Sequence, residues 1–249
     1  MSIETLTSTI LRKMSFIGKW QANFFIELVT TWLSIKSRHS FENLSRQGDM
    51  SSESYRFNFS NSFDFKTFNR YLFDYIGLKN INDPNEARPQ TEYLFDYIGL
   101  EKVWAFDPSF LSKSGTKTYG IGYFWSGCTQ KVKRGMEIAG LAVVDVKNHT
   151  AFHYYATQTK IEDAQNLLSY YADIIVKDAL NMLLVSKYVT VDAYFSKSTF
   201  IDPVCKEGFH LISRMRNDAV MFYAYLGLQR KGRGRKKKYA GKVDSVRFL

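Results

Sequence analysis

Cysteine is scarce: the 249 residues hold two, Cys128 and Cys205, with neither Cys-x-x-Cys spacing nor a histidine cluster around them. That excludes a structural zinc site and a secreted disulfide framework, and both thiols read as buried and reduced. Long hydrophobic runs are missing too. The stretch Phe24–Ile35 is interrupted by Glu27 and falls short of the roughly 20 residues a membrane helix needs. No secretory leader precedes it, so a cytoplasmic protein with no membrane partner is expected. Acidic residues are short against basic ones, 24 to 34, leaving a net charge of +10. Ser213–Lys242 alone carries ten Lys or Arg against the single acid Asp218, so nearly all the excess sits in one local device. Such a charge favours a polyanionic partner. With 45% hydrophobic and 16% aromatic residues, the chain has enough apolar material for a sizeable core.

The first seventy residues read as a small all-α region. Trp20, Phe24, Leu28, Thr31 and Ile35 recur every three or four positions, one face of a helix. Ser40 caps a short helix, Phe41–Gln47, which Gly48 ends. Asp49 and Met50 turn the chain into a further helix over Ser51–Phe59. This is a helix-turn-helix pattern whose second helix presents Ser52, Ser54, Tyr55 and Arg56 to DNA. A plain helical bundle produces the same spacings. Residues 71–101 then read as a linker. Tyr71–Leu78 is YLFDYIGL, and Tyr93–Leu100 repeats it 22 residues later. A solenoid needs at least three copies, so the second copy with its Pro- and Asn-containing approach, Lys79–Leu100, reads as an insertion.

Strands dominate from Lys102 onward. Val103–Phe106 is a short apolar run ending in Asp107. Glu137–Val146 and Thr150–Thr157 are strands joined by a turn at Lys147–His149. Thr159 and Glu162 form a capping box that opens a helix carrying Ile161, Ala164, Leu168, Tyr171 and Ile175. Tyr188–Val191 is a strand ending in Asp192, and Phe209–Ser213 is another. Three strands, a helix, a strand, a helix and a strand is the order of a ribonuclease-H-like α/β fold, a mixed sheet with flanking helices. Its first and fourth strands lie side by side and parallel. Asp107 and Asp192 then emerge at one carboxyl edge, where open α/β sheets bind ligands. Converging carboxylates suit hard Mg²⁺ or Mn²⁺, and a metal pair serves phosphodiester chemistry. Taken alone, an Asp closing a strand is usually a turn or cap residue.

The text around these acids narrows the choice. FDPSFLSKSGTKTYGIGYFWSGC (Phe106–Cys128), KRGMEIAGLAVVD (Lys133–Asp145), VTVDAYFSKSTFID (Val189–Asp202) and FHLISRMRNDA (Phe209–Ala219) occur in order. Together they resemble the DDE-type transposases of bacterial insertion sequences, the IS-four group and its relatives. The resemblance spans residues 102–243 and, more loosely, the helical region before them. It implies that Asp107 and Asp192 are the first two catalytic, metal-binding acids. It further implies Mg²⁺ or Mn²⁺ as cofactor, double-stranded DNA (transposon ends and target) as partner, a nucleoid-associated location and a homodimer bridging two ends. No residue here marks a dimer interface. The family's third acid, a Glu in a Tyr-x₂-Arg-x₃-Glu helix, has no counterpart after Asp192, since Glu207 and Asp244 lack that setting. The core over 102–249 therefore reads as incomplete at its carboxyl end and inactive by itself. A DNA-binding remnant that occupies transposon ends or inhibits a complete enzyme is the alternative.

Several basic residues are candidate DNA contacts. Lys113 and Lys117, with Lys131–Arg134, flank the first Asp and suit phosphates, or are scattered surface charges. Arg214 and Arg216 alternate along an expected strand and so share a face. The run Arg230, Lys231, Arg233, Arg235, Lys236, Lys237 and Lys238 is similar to an Arg-Gly-Arg minor-groove hook, with Lys236 where Pro is usual. A flexible phosphate-binding loop is its plainer description. Trp125 reads as core and His153 as a packed or surface histidine.

Overall fold

Hydroxyl and carboxylate caps set out the amino-terminal helices. In the computed structural model, which describes residues 2–76, 101–115, 118–160, 166–215, 219–229, 232 and 234–243, α1 is Ile3–Leu11 and α2 is Lys19–Ser34. Helix α3, Phe41–Gln47, begins where Ser40 Oγ accepts from Asn43 N and ends at Gly48. Ser51 caps α4, Ser52–Phe59, and Asp64 caps α5, Phe65–Tyr75, in the same way. Side-chain caps of this kind satisfy N–H groups that a helix start leaves orphaned.

Phe24, Leu28, Ile35, Leu44 and Tyr55 pack as one core of this region; Leu11, Met14 and Phe25 form a second. Each such side chain contributes about 1.5–3 kcal/mol by leaving water. Glu27, which breaks the apolar run, is held at the junction: its Oε1 accepts from Tyr55 Oη (2.6 Å), Asp49 N (2.9 Å) and Thr31 Oγ1 (3.0 Å). Gly48 passes directly over this node. A Cβ there would overlap Tyr55 Oη and lie 2.5 Å from Glu27 Oε1, so no larger residue fits without displacing them. One expectation changes: Tyr55 is wholly buried and presents nothing outward. Trp20, which shares the helix-face spacing of Phe24 and Leu28, is 58% exposed.

The repeat also reads differently in its first copy. Helix α5 runs through the expected boundary at residue 70 to Tyr75, and Phe73 is 1% exposed in the core of the α/β region. Asn69 Nδ2 donates to Tyr154 O (2.7 Å), Arg70 Nη1 to Asn181 Oδ1 (3.0 Å), and Lys66 Nζ pairs with Asp178 at 3.6 Å. Tyr154 Oη donates to the same buried Asp178 (2.7 Å). Residues 71–75 thus belong to a packed helix that Ile76 caps, and 77–100, with the second copy, lie outside the described residues.

The α/β region is a mixed sheet of six strands flanked by helices. Its strands are β1 (Lys102–Ser112), β2 (Gly122–Ser126), β3 (Lys131–Asp145), β4 (Thr150–Gln158), β5 (Tyr188–Val191) and β6 (His210–Ser213). The order is β2-β3-β1-β5-β6, with β4 also on β3. β3 pairs antiparallel with β1, β2 and β4, whereas β1 and β6 each lie parallel to β5. Parallel neighbours require a crossover, supplied by α6 (Leu167–Val176) and α7 (Ala179–Leu183) before β5 and by α8 (Ser198–Lys206) after it. Trp104, Phe106, Leu141, Val143, Tyr171, Ile175, Val189 and Phe200 make the shared core.

Two strand expectations and one helix expectation are corrected. β1 does not end at Asp107 but continues, paired with β3, to Ser112. Its pairing with β5 covers Trp104 and Ala105, so Pro108 lies where that edge is free and a missing N–H is tolerated. β6 ends at Ser213, so Arg214 follows the strand and Arg216 lies outside the described residues. The helix after β4 opens at Leu167 with Asn166 as cap, and Thr159 N donates to Glu137 O (2.9 Å) just beyond the end of β4. Ile161, Glu162 and Ala164 lie outside the described residues.

A small separate ribbon, β7 (Phe222–Ala224) with β8 (Tyr239–Lys242), follows the main sheet. No described helix is long and apolar enough to cross a membrane.

Candidate functional site

Position on the sheet brings the two acids together. The parallel register sets Trp104 opposite Val189 and Ala105 opposite Thr190. Carried on by two residues, it places Asp107 beside Asp192. Both side chains reach solvent, on the sheet face opposite Trp104, Phe106, Val189 and Val191. Below them, Phe106 meets Phe195 (5.5 Å between ring centres) and Phe200 (6.3 Å), a packed aromatic base that fixes the backbone of both strands.

Asp192 is held from two sides. Its Oδ1 accepts from Tyr194 N (3.0 Å), capping the short 3-10 turn Ala193–Phe195, and its carbonyl accepts from Ser213 Oγ (2.9 Å) at the end of β6. Asp107 titrates above the ordinary carboxylate range. Partial burial is the main cause, followed by repulsion from Asp192 and then from Glu137. The Tyr194 phenol is also pushed up, by burial and then by Glu137 and Asp192. The site is therefore a concentration of negative charge that bare protein disfavours.

Glu137 is the residue that motif reading missed. It is 7% exposed on β3 and accepts a hydrogen bond from Tyr171 Oη. That bond, after burial, raises the Tyr171 phenol. The signal was in the sequence: Glu137, Ala139, Leu141 and Val143 alternate on one buried face, and an acid at the head of such a row is out of place.

Two carboxylates fit a hard divalent cation, because Mg²⁺ is commonly bound by one or two carboxylates plus water and substrate phosphates. Their mutual repulsion is what a cation would relieve. Among the described residues no group of three or more His, Cys, Asp or Glu is arranged to hold a metal.

The basic candidates are dispersed. Lys113 is exposed just beyond β1, and Arg214 is exposed just beyond β6. Arg56 pairs with Glu42 at 3.2 Å and lies over the Phe41 ring at 5.5 Å, so it is already engaged within the helical region. Arg235, Lys236, Lys237 and Lys238 are exposed on the segment leading into β8. That segment is tied down: Gln229 Nε2 donates to Lys237 O (2.8 Å), Lys237 N donates to Gln229 Oε1 (3.0 Å), and Tyr225 N donates to Lys238 O (3.0 Å). Lys117, Arg216, Arg230, Lys231 and Arg233 lie outside the described residues.

Three single-residue expectations also change. Trp125 is 60% exposed and is not core. Cys128, in the β2–β3 turn, and Cys205, on the outer side of α8, are free but exposed, not buried. His153 is a surface residue, as expected. No protein-family model matches the chain, and no curated protein matches it.

Proposed function

We propose that this chain acts on DNA as a transposase of the DDE type, on a ribonuclease-H-like scaffold, with Asp107 and Asp192 as metal-binding acids of phosphodiester chemistry. One observation carries the reading. Two acids 85 positions apart in sequence come together on neighbouring parallel strands, and Asp192 raises the pKa of Asp107. Bound Mg²⁺ or Mn²⁺ would activate the attacking oxygen and stabilise the leaving one. The chain's own part is to fix the two carboxylates on a rigid aromatic base and to hold DNA phosphates with Lys113, Arg214 and the Arg235–Lys238 run. Double-stranded DNA, at element ends and at the target, is the proposed partner.

A second reading has its own support. Glu137, the nearest further acid, is buried and already bonded to Tyr171, and no third ligand joins the pair among the described residues. Binding of DNA without cleavage is the alternative reading, because a two-metal site short of a ligand loses most of its activity. A nicking assay on supercoiled DNA with Mg²⁺ or Mn²⁺ separates the two. Metal-dependent nicking that Asp107→Ala abolishes supports the enzyme; salt-sensitive binding with no nicking supports the binder; neither binding nor nicking sinks both.

A further inference from the structure

The β2–β3 ribbon carries an exposed aromatic face that the carboxylate site does not use. Tyr123 and Trp125 lie two residues apart on β2 and are 71% and 60% exposed. Their cross-strand partners are Arg134 and Val132, so all four side chains share one face of the ribbon. Phe124, between them, points the other way and is buried. The core is thus filled from one side, and packing does not explain the other.

Charge indicates what would cover it. Ser109–Met136 contains no Asp or Glu but five Lys or Arg: Lys113, Lys117, Lys131, Lys133 and Arg134. Arg134 is anchored by donation from Nη1 to Ser114 O (3.1 Å). A second copy of the chain pairing along β2 would bring these cations against their own kind, which disfavours self-association. A polyanion is the complementary partner. Aromatic planes add a further demand, because a duplex hides its base faces and leaves such rings in water. Residues i and i+2 of a strand are about 6.8 Å apart, twice the ~3.4 Å rise of stacked bases, so a base fits between the two rings.

We propose that the Tyr123–Trp125 face binds single-stranded DNA, with unpaired bases stacking on the two rings and Arg134, on the same face, holding the backbone. Aromatic side chains along a basic track are the general solution for unpaired strands. That the strand is single rests on the ribbon alone; that it is DNA rests on the function proposed above.

The test is fluorescence anisotropy of the full chain with labelled oligo-dT, oligo-U and a DNA duplex of the same length, with circular dichroism confirming that each variant is folded. Trp125→Ala and Tyr123→Ala are each expected to weaken oligo-dT binding about tenfold or more, with duplex binding unchanged and Trp125→Phe close to wild type. Unchanged oligo-dT binding in the Ala variants, or an equal loss for the duplex, overturns the proposal. Tighter binding of oligo-U than oligo-dT overturns the assignment to DNA. A dimer in sedimentation that Trp125→Ala dissociates, with oligo-dT binding intact, shows that a second copy covers the face and also overturns it. Metal-dependent nicking of supercoiled DNA by the wild-type chain is read alongside, so failure of the carboxylate reading is separable from failure of this one.

Discussion

Tyr55 donates its phenolic hydrogen to Glu27 Oε1 across 2.6 Å, joining α4 to the middle of α2 beneath Gly48. Burial works against the charged carboxylate, yet the bonds from Tyr55, Asp49 N and Thr31 outweigh it and hold Glu27 below its ordinary pKa. The same pairing, after burial, pushes Tyr55 up to about 12.

A depressed acid contributes stability that is present above its unfolded pKa, 4.5, and is lost as pH falls through the lower folded value. Glu27→Gln is therefore expected to flatten the acid limb of the stability profile. Tyr55→Phe, which removes a bond to a charged group, is expected to cost about 1.5–3 kcal/mol. Urea unfolding between pH 3 and 7 checks both. An unchanged acid limb in the Gln variant would rule out the Glu27 node as its source.

Asp107 carries the opposite sign. Its folded pKa lies above the ordinary carboxyl value of 3.8, so its contribution is greatest below that value and is lost as pH rises through the folded one. At neutral pH, Asp107→Asn is expected to raise the Tm of the metal-free protein, and the gain is expected to vanish in acid. Added Mg²⁺ or Mn²⁺ is expected to raise the wild-type Tm and leave the Asn variant unmoved, since a ligand that binds the folded state stabilises it. A variant that melts lower than wild type, with the metal response intact, would contradict the placement of the cation.

The segment entering β8 is open to a salt titration. Each phosphate contact contributes about 0.9 to the slope of log K against log salt. Changing Arg235, Lys236, Lys237 and Lys238 together to Ala is expected to reduce that slope on duplex DNA by about 3 to 4 and weaken binding without altering sequence preference. An unchanged slope would remove the segment from the DNA interface.

Much of the scaffold was legible beforehand, and the reasons are local. Ser40 and Gly48 bracket α3 because a cap and a stop are written in single residues. β5 and the parallel approach of β1 follow from short apolar runs and the crossover between them. What was not legible depends on neighbours distant in sequence. Pro108 resembles the end of a strand until β3 is seen pairing past it. Trp125 resembles core until β2 proves to be at the sheet's edge, and Phe73 resembles linker until α5 docks on β4. At the site, Asp107 and Asp192 were read from their strands, whereas Glu137 was hidden within an apolar alternation.

β3 has one more consequence. The same 15-residue strand pairs with Asp107 through Gly140 and with Trp125 through Val132, eight positions apart. At about 3.4 Å per residue that separation is roughly 27 Å, set by a hydrogen-bonded rod and not by a hinge. The strand is a built-in ruler. Any molecule that touches both the acids and the aromatic ribbon must bridge that fixed gap.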